Sequence, residues 1–303
     1  MLAAVILTKN SERTIRETLE GLVKSSYIPR EVVIVDGGSK DNTLKIVESF
    51  RDRLNIKILY DEGRGLGYAR DLGWRRTSKY IKYVAMIDSD VIVDRDFFKN
   101  ALQILEKDGK LGAIGAKLKP KCSEGGILAK FQTKNLAIHL HWKEKPYPEE
   151  IIATHTACTV FRKSVLREVG GFDPYFRLAK EDSDISFRIR KAGYKLSYLE
   201  HYVDHLETGK RFWKINFRYG RSYVHISKKH PIEGKLWTKK NILLTFSLIF
   251  FPLELLIWLH YFMRYIKLDD INFSDAFILS LVETVRQMVR TLGMLYEIIF
   301  GSR

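Results

Sequence analysis

Asp88-Ser89-Asp90 is the tripeptide whose residue types and spacing point first to chemistry. It follows the apolar run Tyr83–Ile87, which reads as a buried strand. Two carboxylates at i and i+2 beyond a strand can converge on one hard divalent cation, magnesium or manganese. Such an ion takes oxygen ligands and keeps positions open for phosphate oxygens. A diphosphate leaving group needs that neutralisation, because charge builds on it as its bond to carbon breaks. An acidic turn has a plainer use as solvated surface; its place at a strand end favours the metal reading. Asp94 and Asp96 read as turn or helix-cap residues. Asp36 closes a second apolar run, Glu31–Val35. A carboxylate there can accept a hydrogen bond from a base or ribose, or close an Asx-turn on the Gly38 and Ser39 amides. Local pattern leaves both open.

Three further groups belong to this inventory. Glu181-Asp182-Ser183-Asp184 opens a helical stretch, where acidic side chains complement the helix dipole. Asp182 can also act as a general base toward an acceptor hydroxyl. His205 follows the strand-like piece Leu196–Val203 and reads either as a packed ring or as a ligand of metal or phosphate. Gly63-Arg64-Gly65-Leu66-Gly67-Tyr68-Ala69-Arg70 is a glycine-rich loop entering a helix. It does not follow the first strand, so it is no dinucleotide fingerprint. Its amides and Arg70 offer contacts to phosphate or ribose; the alternative is a tight loop with a surface arginine.

The elements that must position these groups alternate. Leu2–Leu7, Glu31–Val35, Ile56–Leu59 and Tyr83–Ile87 read as strands. Ser11–Lys24, with Ser11 as cap, and Asn42–Phe50 read as helices, as does Asp182–Ala192, closed by Gly193. Strands alternating with helices imply an α/β fold, mostly parallel, with helices on both faces. Ligands of such sheets bind at the strand carboxyl ends, so the turns bearing Asp36 and Asp88 share one crevice. Leu111–Phe172 mixes strand-like pieces with a loop at Pro146-Tyr147-Pro148.

The chain of 303 residues is 46% hydrophobic and 29% charged, a balance that supports a core and excludes disorder. Its net charge of +15 suggests a polyanionic partner. Cys122 and Cys158 are the two cysteines, which excludes a disulfide framework and a four-thiolate zinc site. The opening apolar run is too short for a signal peptide. Residues 211–240 are dense in Lys and Arg interleaved with aromatics, and Ile242–Met263 is a run of about 22 nearly unbroken apolar residues. That length spans a bilayer at ~1.5 Å per residue. A basic aromatic belt beside it is what a membrane interface selects; a nucleic-acid surface does not explain the apolar run. The competing reading is a buried helical hairpin. In Ala276–Phe300 the polar residues Glu283, Arg286, Gln287, Arg290 and Glu297 share one stripe. Such a helix lies in the interface or packs its polar stripe on protein.

Six segments in order, VILTKNSERTIRETLEGL, EVVIVDGGSKDNT, GRGLGYARDLG, YVAMIDSDV, VFRKSVLREVGGFDP and EDSDISFRIRKAGYKL, resemble the inverting family-two glycosyltransferases of GT-A fold. The resemblance runs from Leu2 to about Arg221. It implies that Thr8 and Asn10 line a nucleotide pocket, that Asp36 contacts the base and that Arg70 lies near the nucleotide. It implies that Asp88 and Asp90 hold nucleotide and metal, Asp90 more directly, with Asp182 as base and His205 near metal or diphosphate. The Q-x-x-R-W motif of processive synthases is absent, with Phe217-Arg218-Tyr219-Gly220-Arg221 in the comparable stretch, which implies single-sugar transfer. The expectation is a catalytic domain over residues 1–210, a basic juxtamembrane segment over 211–240 and a membrane-associated helical region over 241–303. That domain moves a sugar from a nucleoside diphosphate sugar to a membrane-borne acceptor, a polyprenyl phosphate or lipid-linked glycan, on the cytoplasmic face, without nucleic acid. The alternatives are a nucleotidyltransferase on a similar fold and a non-catalytic membrane-bound scaffold.

Overall fold

The computed structural model describes residues 1–122, 126–140, 151–207, 211–236, 238–248, 251–268 and 271–301. The expected loop at Pro146–Pro148 lies outside them. In chain order the elements are β1 (Leu2–Thr8), α1 (Ile15–Lys24), β2 (Glu31–Asp36), α2 (Thr43–Glu48), β3 (Ile56–Tyr60), α3 (Leu66–Arg75), β4 (Tyr83–Asp88), β5 (Val91–Ile92), α4 (Phe97–Lys107), β6 (Leu111–Cys122), α5 (Ile127–Leu140), β7 (Cys158–Arg162), α6 (Lys163–Glu168), α7 (Glu181–Lys191), β8 (Lys195–Glu207), α8 (Phe212–Lys229), α9 (Lys239–Ser247), α10 (Phe251–Tyr265) and α11 (Phe273–Phe300). The chain divides into two compact units, Met1–Lys121 with Pro146–Leu206 and Cys122–Lys145 with Glu207–Arg303.

The first unit is built on an eight-stranded sheet of order β3-β2-β1-β4-β7-β6-β8-β5. Its central strands are continuous apolar runs because both faces are covered. Successive residues point to opposite faces: Leu2, Ala4 and Ile6 of β1 join one core, with Leu19 and Phe98 from helices. Ala3 and Val5 join the other, with Trp74 and Ile185. The expected mostly parallel sheet is mixed. β3, β2, β1 and β4 run parallel, while β7 is antiparallel to β4 and β6 to β7, and β5 is antiparallel to β8. Helices go on alternating with strands beyond β4, but β4–β7, β6–β7 and β5–β8 pair antiparallel, a direction that alternation alone does not fix.

Two boundaries move for local reasons. α1 begins at Ile15, not Ser11, because the Ser11 carbonyl accepts from the Thr14 and Ile15 amides in a preceding turn, at 3.0 and 2.9 Å. The Ser11 hydroxyl is bonded to Ser89 Oγ instead, 2.9 Å away. His205 lies inside β8 rather than after it, paired with Val91.

In the second unit the expected bilayer-length run is two helices, α9 and α10, and no helix among the described residues is long and apolar enough to cross a membrane. The 15 residues of α10 rise ~22 Å, short of the ~30 Å hydrocarbon core. Pro252 sits in its first turn, where a missing N–H costs nothing but a continuous helix through it is disfavoured. Ser247 at the end of α9 donates to Glu254 Oε1 of α10 at 2.7 Å. A small aromatic core joins Phe131, Phe212, Tyr261 and Tyr265. α11 packs its polar stripe inward: Glu283 and Gln287 are buried, and Glu297 accepts from Arg221 Nε at 2.6 Å and pairs with His225 Nε2 at 2.8 Å. α8 and α11 meet at reciprocal glycines. A Cβ on Gly220 would lie 1.9 Å from the Arg290 carbonyl oxygen, and one on Gly293 2.2 Å from that of Phe217.

Candidate active site

Strand register brings the acidic turns together. Thr8 at the end of β1 is opposite Asp36 on β2, and Leu7 is opposite Asp88 on β4. The two carboxylates therefore leave the sheet at the same edge, on either side of β1. Asp36 is buried, with all four of its acceptor positions engaged. Oδ1 accepts from Thr8 Oγ1 at 2.9 Å and Ser39 Oγ at 2.5 Å, and Oδ2 from the Gly38 and Ser39 amides at 3.0 and 2.8 Å. The Asx-turn is formed. Asn10, held at φ 53°, donates its amide to Ser39 Oγ and accepts from the Lys40 amide. Thr8 and Asn10 thus clip the loop after β1 to the loop after β2.

Asp88, Asp90 and His205 each offer one ligand atom, and the three atoms lie within 4.8 Å of one another. The cause is the β5–β8 pairing: the Asp90 carbonyl accepts from the Leu206 amide at 2.8 Å, which brings His205 Nε2 to 3.6 Å from Asp90 Oδ1. Two carboxylate oxygens and one imidazole nitrogen fit a divalent metal of the manganese or magnesium class.

Arg70 connects this edge to the start of α7. Its Nη2 donates to Asp88 Oδ1 at 2.8 Å and its Nε to Glu181 Oε1 at 3.1 Å. Burial pushes the guanidinium down, but Asp88 and Glu181 outweigh it and hold Arg70 above its ordinary range. Its Nη1 is buried with no hydrogen-bond partner in the structure. Arg70 is thus a buried bridge, not a surface arginine. Burial, with Asp182 adding to it and Arg70 opposing, raises the Glu181 carboxyl. Carboxylates here outnumber this one guanidinium, a deficit that a bound cation offsets.

Asp182 sits one residue on, in the first turn of α7. Its Oδ1 accepts from the Ser183 amide at 2.6 Å and Ser183 Oγ at 3.2 Å, and Oδ2 lies 3.9 Å from His155 Nδ1. The His155 ring stacks on Tyr198, with centroids 6.2 Å apart. Burial, with Asp182 adding, pushes the Tyr198 hydroxyl up. Burial pushes the His155 imidazole down, against the pull of Asp182.

Sequence reasoning missed two of these residues. Glu181 was indistinguishable from a helix-dipole acid, because its partner Arg70 is 111 positions away. His155 carries no local pattern at all. Four amides of the glycine loop that could have met a phosphate are used within the protein. Gly63 and Arg64 bond back to Asp61, while Leu66 and Gly67 donate to the Arg177 and Phe176 carbonyls at 3.1 and 3.0 Å. The loop's glycines serve close approach, since a Cβ on Gly67 would lie 2.1 Å from the Asp173 carbonyl oxygen.

In sequence and fold the chain is similar to known proteins. Poly-beta-1,6-N-acetyl-D-glucosamine synthases are 27% identical in Staphylococcus epidermidis and 28% in Staphylococcus aureus, over 192 residues. The match covers 62% of this chain but 45% of theirs, so the chain spans less than half the length of these relatives. Among solved structures, mannosyltransferase PcManGT from Pyrobaculum calidifontis, in complex with GDP-Man and Mn2+, superposes with a TM-score of 0.65 at 18% identity. That alignment covers 100% of this chain and 88% of that one. S. aureus TarS 1-349 in complex with UDP-GlcNAc gives a TM-score of 0.53 at 17% identity, covering 99% and 92%. The structural likenesses show a shared GT-A-like α/β fold. The family model of glycosyl transferase family 2 matches residues 3–170, more than half of the chain, and the protein belongs to that family.

Proposed function

We propose that the chain transfers a single sugar, with inversion and dependence on a divalent metal, from a nucleoside diphosphate sugar to a lipid-borne acceptor. The observation that carries the reading is the meeting of Asp88, Asp90 and His205 within 4.8 Å, tied through Arg70 to the helix that bears Asp182. Magnesium or manganese, bound by these three, would offset the charge that grows on the leaving diphosphate. Arg70 supplies fixed positive charge there, and its unbonded Nη1 is a donor that a diphosphate or ribose oxygen satisfies. Thr8, Asn10 and Asp36 shape the floor on which the nucleotide sits. Asp182, with Oδ1 held by Ser183, takes the acceptor hydroxyl proton on Oδ2. The acceptor oxygen bonds to the anomeric carbon as the bond to the diphosphate breaks, and nucleoside diphosphate leaves. A phosphate acceptor is already anionic and gives Asp182 no proton to take, only a group to orient.

Nucleotide-sugar donors are supported by the ligands of the solved relatives, UDP-GlcNAc in TarS and GDP-Man in PcManGT. Single transfer rests on the missing Q-x-x-R-W motif, even though the curated relatives make a polymer by name. A lipid-borne acceptor is supported by the apolar side chains that α10 and α11 leave exposed, among them Leu255, Leu256, Leu259, Phe277, Leu281 and Val285. The adjoining cations favour the anionic cytoplasmic leaflet.

The test is a donor screen. The full chain is incubated with manganese or magnesium, a panel of nucleotide sugars and lipid-phosphate acceptors, and released nucleoside diphosphate is measured. Metal-dependent release with one donor, raised by the lipid acceptor, is expected. Pyrophosphate release would replace the reading with nucleotidyl transfer, and absence of all nucleotide binding would replace it with a scaffold.

A further inference from the structure

The second unit contains a cavity of about 190 Å³, walled by α8, the segment leading into α9, α9 itself and α11. At least ~10–15 Å³ by this measure holds one water, so the space admits a polyatomic group. Three cations line it, Lys235, Lys240 and Arg290, with Tyr223, Asn241 and Gln287 as further polar walls, and no carboxylate is among the lining residues.

The cations are not there to match a local acid. Arg290 Nε donates to Asn216 Oδ1 at 2.7 Å, and its terminal nitrogens make no hydrogen bond to described residues. Lys235 and Lys240 form no ion pair with described residues. The neighbouring acid is Glu283, already held by Arg286 Nη2 at 2.7 Å and by Gln287 Nε2. Burial and the Arg286 charge push the Arg290 guanidinium down to about 10. Arg290 remains cationic at neutral pH, and with the two lysines around the same space its charge carries an electrostatic cost that a bound anion would remove.

We propose that this cavity is a binding site for a phosphate group, held by Lys235, Lys240 and Arg290. A phosphate matches the arrangement because Arg presents a fork of donors to its oxygens while lysines act as point charges. The group is carried either by a lipid headgroup or by a soluble phosphate ester. No step of sugar transfer enters this assignment, so it stands or falls separately from the proposed activity.

The experiment uses the full chain with two probes. Glycerol 3-phosphate is titrated by calorimetry, and phosphatidylcholine vesicles with and without phosphatidic acid are used in sedimentation. Lys240→Gln and Arg290→Gln are compared with Lys228→Gln, which removes an equal charge outside the cavity. Lys240 is exposed, so its variant tests the site even if loss of the Arg290–Asn216 bond disturbs folding. Each cavity variant is expected to weaken binding about tenfold, the scale of one charge-assisted hydrogen bond, while Lys228→Gln leaves it unchanged. Saturable binding of glycerol 3-phosphate that follows this pattern identifies a soluble ester as sufficient. The same pattern with vesicles alone identifies a lipid headgroup. Equal weakening by Lys228→Gln, reflecting only the net charge of +15, or binding of neither probe, overturns the site.

Discussion

The two units of this chain use apolar residues in opposite ways. In the first, Ala4, Val5, Val33, Ile34, Ala85 and Met86 are all fully buried, and Asp36, Asp88, Asp90 and His205 gather at one sheet edge. In the second, α11 buries Ser280, Glu283, Gln287, Thr291 and Glu297 while Phe277, Ile278, Leu281, Val285 and Leu292 face outward. Water drives apolar surface inward; α11 buries Ala276, Leu279 and Met294 as well, and its outward apolar side chains suit an apolar neighbour. The difference separates two kinds of charge. Asp88 and Asp90 at the sheet edge lie with His205 within 4.8 Å of one another, whereas Glu283 and Glu297 inside the helical unit are paired internally with Arg286, Arg221 and His225.

The largest effect that tests this division is expected at Asp182. An Asp182→Asn variant keeps the shape and the Ser183 contact but cannot take a proton, and turnover is expected to fall at least ~100-fold. Donor affinity and thermal midpoint should stay close to wild type. Near-normal turnover measured by nucleoside diphosphate release would remove Asp182 from the role of base.

Next is the seam between α8 and α11. In Gly220→Ala the added carbon would stand 1.9 Å from the backbone oxygen of Arg290, which cannot swing away as a side chain can. The helices must separate, at about 1–3 kcal/mol, read as a lower urea midpoint. Gly109→Ala, whose Cβ would meet nothing within 4 Å, is the matched control. A Gly220→Ala variant as stable as that control would mean that the seam is loose.

A smaller effect is expected at Glu297, and it depends on pH. Burial raises this carboxyl, but hydrogen bonds from Arg221 and His225 outweigh it and hold the group below its ordinary value. A depressed carboxyl contributes stability above its unfolded value near ~4.3 and loses it as pH falls through the folded value. Glu297→Gln should therefore cost on the order of 1 kcal/mol at neutral pH, Arg221 and His225 being partly solvated, and progressively less below about pH 4. A cost independent of pH would show that shape, not charge, holds the pair.

Much of the first unit is legible because its signals are local. The runs at β1, β2 and β4 contain no competing pattern, and each Asp that ends one is found at the sheet edge by counting along the strand. The acid run at α7 was visible too. What one window of residues cannot show is a partner far along the chain: Arg70 with Glu181, or His155 beside Asp182. Nor can it show direction. Ile242–Met263 has bilayer length and hydropathy, yet Pro252 and the Ser247–Glu254 bond belong to two shorter helices. The polar stripe on α11 was legible as a stripe, while the side it packs on is decided by Asn216, Arg221 and His225 of α8. β8 runs on through His201, Asp204 and His205, residues without strand propensity, because pairing with β5 supplies what propensity does not.

The smallest expected effect on stability is the one that defines the inverted helix. Leu281→Gln with Val285→Thr replaces two apolar side chains that lie 42% and 44% exposed on α11. In an outward-polar helix such positions would be buried, and truncating or polarising two of them would cost several kcal/mol. Here the expected change in the urea midpoint corresponds to less than ~0.5 kcal/mol per site, as for any surface substitution. The polar residue Glu297 inside should matter more to folding than either apolar residue outside. Partition should respond instead: sedimentation with phosphatidylcholine vesicles is expected to fall in the double variant, because apolar area removed from water is the driving term. If the double variant loses several kcal/mol, these side chains pack against the protein, and the contrast between the two units collapses. If stability and vesicle binding are both unchanged, the apolar face serves a neighbour other than lipid, and the acceptor must be sought in solution.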